Sequence, residues 1–217
     1  TQNIIVTIED INDTPTASVV EVTTLEDTPI DIDLSEFVGD EDETDTLTNL
    51  TYTVEGGASH GETNVLGTTV SYVPTLNFNG VDVFTYKVTD DEGLSSSVFN
   101  VTVNITAVND SPTINGMLLD TKVNEYSPYS QDFEGVFSDV DDMTITYEEV
   151  GVSWLDVNGT TLEGTPDNND VGIYVVQLEA SDNEYTVTLN YQIEVINTND
   201  APVFISIPTN NVLEDTT

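Results

Sequence analysis

One short motif recurs three times and sets the period of the chain. It reads Ile11-Asn12-Asp13-Thr14-Pro15, then Val108-Asn109-Asp110-Ser111-Pro112, then Thr198-Asn199-Asp200-Ala201-Pro202. The asparagines are 97 and then 90 residues apart. A repeat of that length fits one small β-sandwich. Each copy follows an alternating stretch, at residues 4–8, 99–105 and 191–196. Alternation rich in Val, Ile, Thr and Tyr predicts half-buried strands at 18–24, 29–34, 50–54, 69–73 and 81–88. The theme returns at 144–147, 172–180 and 185–195. Turn chemistry separates these runs at Gly56-Gly57, Asn79-Gly80, Asn158-Gly159 and Asp182-Asn183. No stretch combines helical periodicity with caps. The expected fold is therefore all-β, a tandem of Ig-like Greek-key β-sandwiches. Residues 15–111 and 112–201 read as complete repeats. Residues 1–14 read as the last strand and linker of a preceding repeat, and 202–217 as the start of the next. Thr1 opens directly into strand-like sequence with no signal peptide, which reads as a piece of a longer chain.

Charge sets the second constraint. The 217 residues include 41 acidic side chains against two basic ones, Lys87 and Lys122, for a net charge of -39 with 37% hydrophobic residues. That pairing lies near the border at which repulsion prevents collapse, so a folded state needs something to offset it. Phosphate recognition needs cations on the protein, so nucleic acid is excluded as a direct partner. An anionic membrane surface is disfavoured for the same reason. No apolar run approaches the roughly 18 residues of a spanning helix, so direct membrane insertion is not expected. There is no cysteine, which excludes disulfides, thiolate zinc sites and thiol catalysis. An extracellular protein without disulfides needs another staple, and many bacterial surface proteins use calcium.

The order of several longer motifs adds a family likeness. The first repeat carries Tyr72-Val73-Pro74, the run from Asn77 to Tyr86, and Val88-Thr89-Asp90. The second carries Trp154-Leu155, Leu162-Glu163-Gly164-Thr165-Pro166, the run from Asp170 to Tyr174, and Ala180-Ser181-Asp182. These resemble the cadherin-like tandem repeats of large bacterial surface adhesins, the second repeat in its dystroglycan-type variety. The resemblance implies a cadherin-like sandwich with calcium between consecutive repeats. It also implies a ligand set. The glutamate near the base of the first strand matches Glu26, Glu125 and Glu214. The Asp-x-Asn-Asp linker matches Asp10, Asn12 and Asp13 in full. It matches Asn109 and Asp110 with Ala107 in the first position, and Asn199 and Asp200 with Asn197 there. The Asp-x-Asp pair matches Asp40 and Asp42, then Asp139 and Asp141. The strand-ending aspartate matches Asp90 and Asp182. The Asp-x-Glu pair matches only Asp167, with Asn169 in place of the glutamate.

The donor chemistry agrees with that implication independently. Calcium takes about six to eight oxygens from carboxylates, amides and main-chain carbonyls. With no Cys, one His and two Met, soft-ligand metals are disfavoured. Residues 40–45 lack the glycine an EF-hand turn needs, and no glycine-rich nonapeptide run occurs. Ligands must therefore converge from distant parts of the chain. Two carboxylates 4 Å apart repel by roughly 4 kcal/mol at an effective dielectric of about 20. A divalent ion turns each such repulsion into two attractions, so a carboxylate-rich linker is loose without metal and stiff with it.

Acidic loop residues are usually solvated, and a saline habitat would favour an acidic surface for solubility. That account predicts even scatter, whereas the carboxylates cluster at 10–13, 40–45, 90–92, 139–142 and 167–170. Trp154 reads as core rather than as a sugar platform, and His60 as surface. Gly-x-Ser-x-Gly is absent, and two small sandwiches offer no cleft for a carboxylate pair. The chain is thus not expected to be an enzyme. The leading expectation is a calcium-stiffened extender of a secreted, surface-anchored adhesin, with neighbouring repeats as its partners. The alternatives are a polysaccharide-binding or homotypic adhesion module, marked by an exposed aromatic row, and a filament subunit.

Overall fold

The computed structural model describes residues 11–41, 49–141 and 144–203. It divides the chain into two units, Thr1–Asn109 and Asp110–Thr217. The strand expected at residues 4–8 and the expected ligands Asp10, Asp42 and Glu214 lie outside the described residues. Both units are all-β, with no α-helix among the described residues and only two 3-10 turns, Leu34–Phe37 and Asn168–Asp170.

The first unit contains β1 (Thr16–Ala17), β2 (Val20–Leu25), β3 (Ile30–Asp33), β4 (Val38–Gly39), β5 (Thr51–Gly56), β6 (Gly61–Leu66), β7 (Thr69–Pro74), β8 (Gly80–Thr89) and β9 (Phe99–Thr106). One sheet has the order β2-β9-β8-β5, the other β3-β7-β6, and β1 pairs with β4. The core follows from strict alternation. Phe84, Tyr86 and Val88 of β8 and Val101, Val103 and Ile105 of β9 are buried, and Val70 and Tyr72 of β7 meet them from the other sheet. Each such side chain contributes roughly 1.5–3 kcal/mol of burial.

The second unit repeats this plan. Its strands are β10 (Thr113–Ile114), β11 (Thr121–Asn124), β12 (Tyr129–Asp132), β13 (Phe137–Ser138), β14 (Thr146–Val150), β15 (Leu155–Asn158), β16 (Thr161–Gly164), β17 (Gly172–Ser181) and β18 (Thr186–Ile196). The sheets are β11-β18-β17-β14 and β12-β16-β15, with β10 paired to β13. Trp154 packs edge-on against Tyr129 at 6.0 Å and Tyr174 at 6.1 Å. It is half-buried against the core, as the sequence suggested.

Two details position the candidate ligands. In each unit the strand after the first short one runs parallel to the last: β2 pairs β9 from Val20↔Val101 to Leu25↔Thr106, and β11 pairs β18 from Thr121↔Ile193 to Asn124↔Ile196. The residue that follows β2 or β11 therefore sits beside the chain's exit from that unit. The residue that follows β8 or β17 sits at the opposite end. The second detail is a shared hairpin. Leu66 pairs Thr69 around Gly67-Thr68, and Asn158 pairs Thr161 around Gly159-Thr160. Both glycines are left-handed, at φ 62° and 63°, a conformation that favours residues without a Cβ. The turn carbonyls of Thr68 and Thr160 accept from the N–H groups of Leu34 and Phe133, both at 2.9 Å. The turn expected at Asn158-Gly159 is thus displaced by one residue, because Asn158 still belongs to the ladder.

Candidate metal centre

At the N-terminal end of the first unit, Asp90 follows β8 and is only 5% exposed. Its Oδ1 accepts from the N–H groups of Gly93 at 2.5 Å and Leu94 at 2.7 Å, and its Oδ2 from Asn12 Nδ2 at 3.0 Å. Burial pushes its pKa up, but the bonds from Asn12, Leu94, Gly93 and Glu92 outweigh that and hold it below the usual carboxylate range. Asp90 is therefore an anion at neutral pH. The other end of the Asn12 amide, Oδ1, is buried and accepts no hydrogen bond. Asp40 follows β4, half-buried, and Asp13 is exposed.

At the C-terminal end of the same unit, Glu26 follows β2 and is 3% exposed. Its N–H donates to the Thr106 carbonyl at 2.9 Å, and its Oε1 accepts from the N–H of Val108. Its Oε2 is sealed from solvent with no hydrogen-bond partner. The next residue, Asp27, is held at φ 56° and accepts from the N–H of Asn77 at 2.8 Å.

The second unit reproduces both ends. Asp182 follows β17, is 6% exposed, and accepts from the N–H groups of Glu184 at 2.7 Å and Tyr185 at 2.6 Å. Asp139 accepts from the N–H of Asp141 at 2.9 Å, and Asp141 accepts from the N–H of Asp110 at 2.5 Å. Those three predicted ligands are thereby joined in one hydrogen-bonded chain. At the other end Glu125 is 2% exposed, its N–H donates to Ile196 at 3.1 Å, and its Oε1 accepts from the N–H and hydroxyl of Thr198. Its Oε2, like that of Glu26, is buried with no partner. Tyr126 repeats the left-handed residue at φ 59°.

A buried carboxylate oxygen without a donor costs several kcal/mol. Its occurrence at the same position of both units fits a cation, because a hard divalent ion is the partner such an oxygen lacks. The candidate ligands named from the sequence offer only oxygen donors, the kind calcium takes. The rest of the predicted set is less concentrated. Asp167 is exposed, and its carboxylate caps the second 3-10 turn by accepting from the N–H of Asn169 at 2.6 Å. Asn197, Asn199 and Asp200 are exposed along the segment after β18, and Asn109 is half-buried. Among the described residues no three acidic or histidine side chains converge closely enough to hold a metal ion. The full shell implied by the resemblance is therefore not assembled from the described residues.

Two carboxyl groups, one buried and one half-buried, escaped the sequence reading. Asp82, 3% exposed, accepts from the N–H groups of Ser59 at 3.0 Å, His60 at 2.8 Å and Val83 at 2.9 Å, and from the Tyr72 hydroxyl at 2.9 Å. Burial opposes its ionisation, and these four donors reverse that and lower its pKa. The network ties down the loop that carries His60, which lies exposed and stacks on Phe78 at 3.9 Å. The signal was present: Asp82 stands in phase with Phe84, Tyr86 and Val88 on the inward face. Glu149 is half-buried, and its pKa is raised chiefly by burial, with Asp156 adding to the rise against a bond from Val152.

Comparison with known proteins agrees with this architecture. Residues 12–106 match the family model described as Bacterial Ig domain, and residues 111–196 match the one described as Putative Ig domain. Both units are Ig-like domains. No curated protein sequence is matched. Drosophila N-cadherin EC1-4 superposes with a TM-score of 0.56 at 18% identity, covering 87% of this chain and 50% of that one. Human protocadherin-24 EC1-2 gives 0.56 at 18% identity, covering 85% and 100%. The fold of the Ig-like pair is thus also cadherin-like. An endo-fucoidan hydrolase from glycoside hydrolase family 107 aligns at 24% identity with a TM-score of 0.36, covering 86% of this chain and 29% of that one. So loose a superposition has no bearing on function. The chain spans less than a third of that hydrolase and half of the N-cadherin structure.

Proposed function

We propose that this tandem is a calcium-stiffened extender segment of a secreted bacterial cell-surface adhesin, holding a binding domain away from the cell. The observation that carries the reading is the pair of buried, half-satisfied glutamates, Glu26 and Glu125, beside the exit of each unit. In each, Oε1 pins the segment that leaves the unit and Oε2 is left for a cation. When bound, calcium supplies charge neutralisation and a rigid coordination shell. The residues proposed to hold it are Glu26, Asn109 and Asp110 with Asp139, Asp141 and Asp182 at one linker. Asp10, Asn12 and Asp13 with Asp40, Asp42 and Asp90 would serve the preceding linker, and Glu125, Asp167, Asn197, Asn199, Asp200 and Glu214 the following one.

The family matches support an adhesion or extender role, since domains of this class usually lack catalytic activity and are typical of surface or secreted proteins. The polysaccharide alternative gains nothing from the sheet faces: among the described residues the exposed large aromatics are Tyr126 and Tyr185, which do not form a row. Calorimetry in calcium, in magnesium and in chelator tests the reading. Calcium is expected to raise the melting temperature strongly and magnesium to restore little. A melt unchanged by chelator would overturn it.

A further inference from the structure

We propose that Asn79 is a self-modifying position, a site of spontaneous deamidation whose only co-reactant is water. Three Asn-Gly pairs occur in the chain, Asn79-Gly80, Asn115-Gly116 and Asn158-Gly159, and the fold treats them differently. Reaction requires the main-chain nitrogen of the glycine to attack the asparagine Cγ. A new C–N bond closes a five-membered succinimide ring. The Cγ–Nδ2 bond breaks, and the side-chain nitrogen leaves as ammonia with the proton given up by the glycine N–H. Water then opens the ring at either carbonyl, leaving aspartate or isoaspartate. No electrons change hands. The step needs an asparagine side chain free to turn and a main chain free to follow it.

Two of the pairs are restrained. Asn115 donates through Nδ2 to Ser138 Oγ at 2.5 Å and through its own N–H to Val136 at 2.7 Å. Gly116 lies close against Val136, whose Cγ2 is 3.4 Å from where a Cβ would stand. Asn158 is the last ladder residue of β15, in register with Thr161, and its Nδ2 donates to Glu163 Oε1 at 2.8 Å. Asn79 itself has neither a side-chain bond nor a place in a ladder, and the ladder begins only at Gly80, the first residue of β8, opposite Ile105. The asparagine is exposed and precedes the ladder, and its side-chain amide makes no hydrogen bond among the described residues. Gly80 is exposed at φ 131°, with no Cβ to crowd the attacking nitrogen.

The product places a carboxylate at the C-terminal end of the first unit, since Gly80 pairs with Ile105 and Leu25 with Thr106. That is the end that carries Glu26 and Asp27. The inference does not depend on calcium binding. The test is peptide mapping of the whole chain by mass spectrometry after incubation at mildly alkaline pH, with isoaspartate detected by enzymatic methyl transfer. The peptide containing Asn79 is expected to gain the amide-to-acid mass increment severalfold faster than those containing Asn115 and Asn158. The Asn79→Gln variant is expected to lose the matching acidic shift on isoelectric focusing. Equal rates at the three pairs, or an acidic shift that persists in Asn79→Gln, would overturn it. If the variant does not fold, the rate order in the unaltered protein still decides.

Discussion

Two buried carboxylates in the first unit differ in how fully their oxygens are bonded. Asp82 has four donors and needs nothing more. Glu26 has one oxygen served and one orphaned. Different substitutions should expose the contrast. Asp82→Asn replaces an acceptor-only group with one that also donates, against four donors. It should cost about 2–3 kcal/mol of first-unit stability, the scale of bonds to a charged group, with no change in calcium response. Chemical denaturation with and without calcium measures both. Because the folded pKa of Asp82 is depressed, its contribution is full above the unfolded value of about 3.9 and is lost as pH falls through the lower folded value. First-unit stability should therefore decline in acid below about pH 4, and Asp82→Asn should flatten that decline. Glu26→Gln keeps an oxygen for the Val108 N–H but removes the charge. In chelator it should equal or exceed the parent, by about 1 kcal/mol or more, while losing much of the calcium-induced rise in melting temperature. A full calcium shift in Glu26→Gln would remove Glu26 from the ligand set. Glu26 and Glu125 enter the proposed ligand set through the family resemblance, and the sequence marks them only as acidic residues that recur 14 and 16 residues after the linker asparagine. The sequence did not reveal that each also pins its own exit segment, because the partners lie 82 and 73 residues away.

Among elements, length decided what could be read beforehand. The long strands β8, β9, β17 and β18 alternate over eight residues or more, and their positions were expected to within a residue or two. The two-residue strands β1, β4, β10 and β13 were not, since two residues carry no period. β6 was missed for another reason. Gly-Glu-Thr-Asn-Val-Leu is an edge strand with little buried surface, so its sequence has little to reveal. Its first residue is nonetheless constrained. A Cβ on Gly61 would stand 2.4 Å from the ring of Tyr72, which is fully buried. Gly164, on β16, would put a Cβ 2.0 Å from the main-chain oxygen of Trp154. A ring shifts more readily than a strand, so Gly61→Ala should cost about 1–3 kcal/mol and Gly164→Ala more. Two resolved denaturation transitions would assign each loss to its own unit. Equal, negligible losses would show that the sheets yield more easily than this packing implies.

At the scale of the whole molecule, the 90-to-97-residue period and the strand alternation within it were enough to indicate tandem all-β sandwiches. Whether the proposed carboxylates converge was beyond the sequence alone, since it depends on distant loops reaching one place, and among the described residues no three of them do. The net charge of -39 makes the folded chain sensitive to its ionic surroundings. Monovalent salt screens exposed charges over about 8 Å at physiological strength, but it would not substitute for the divalent ion proposed at the buried oxygens of Glu26 and Glu125. Small-angle scattering in calcium and in chelator, at matched ionic strength, is the most direct measurement. The account predicts a longer, stiffer particle with a sharply defined maximum dimension in calcium, and a shorter average with a broad distribution in chelator. Superimposable profiles in the two buffers would contradict it.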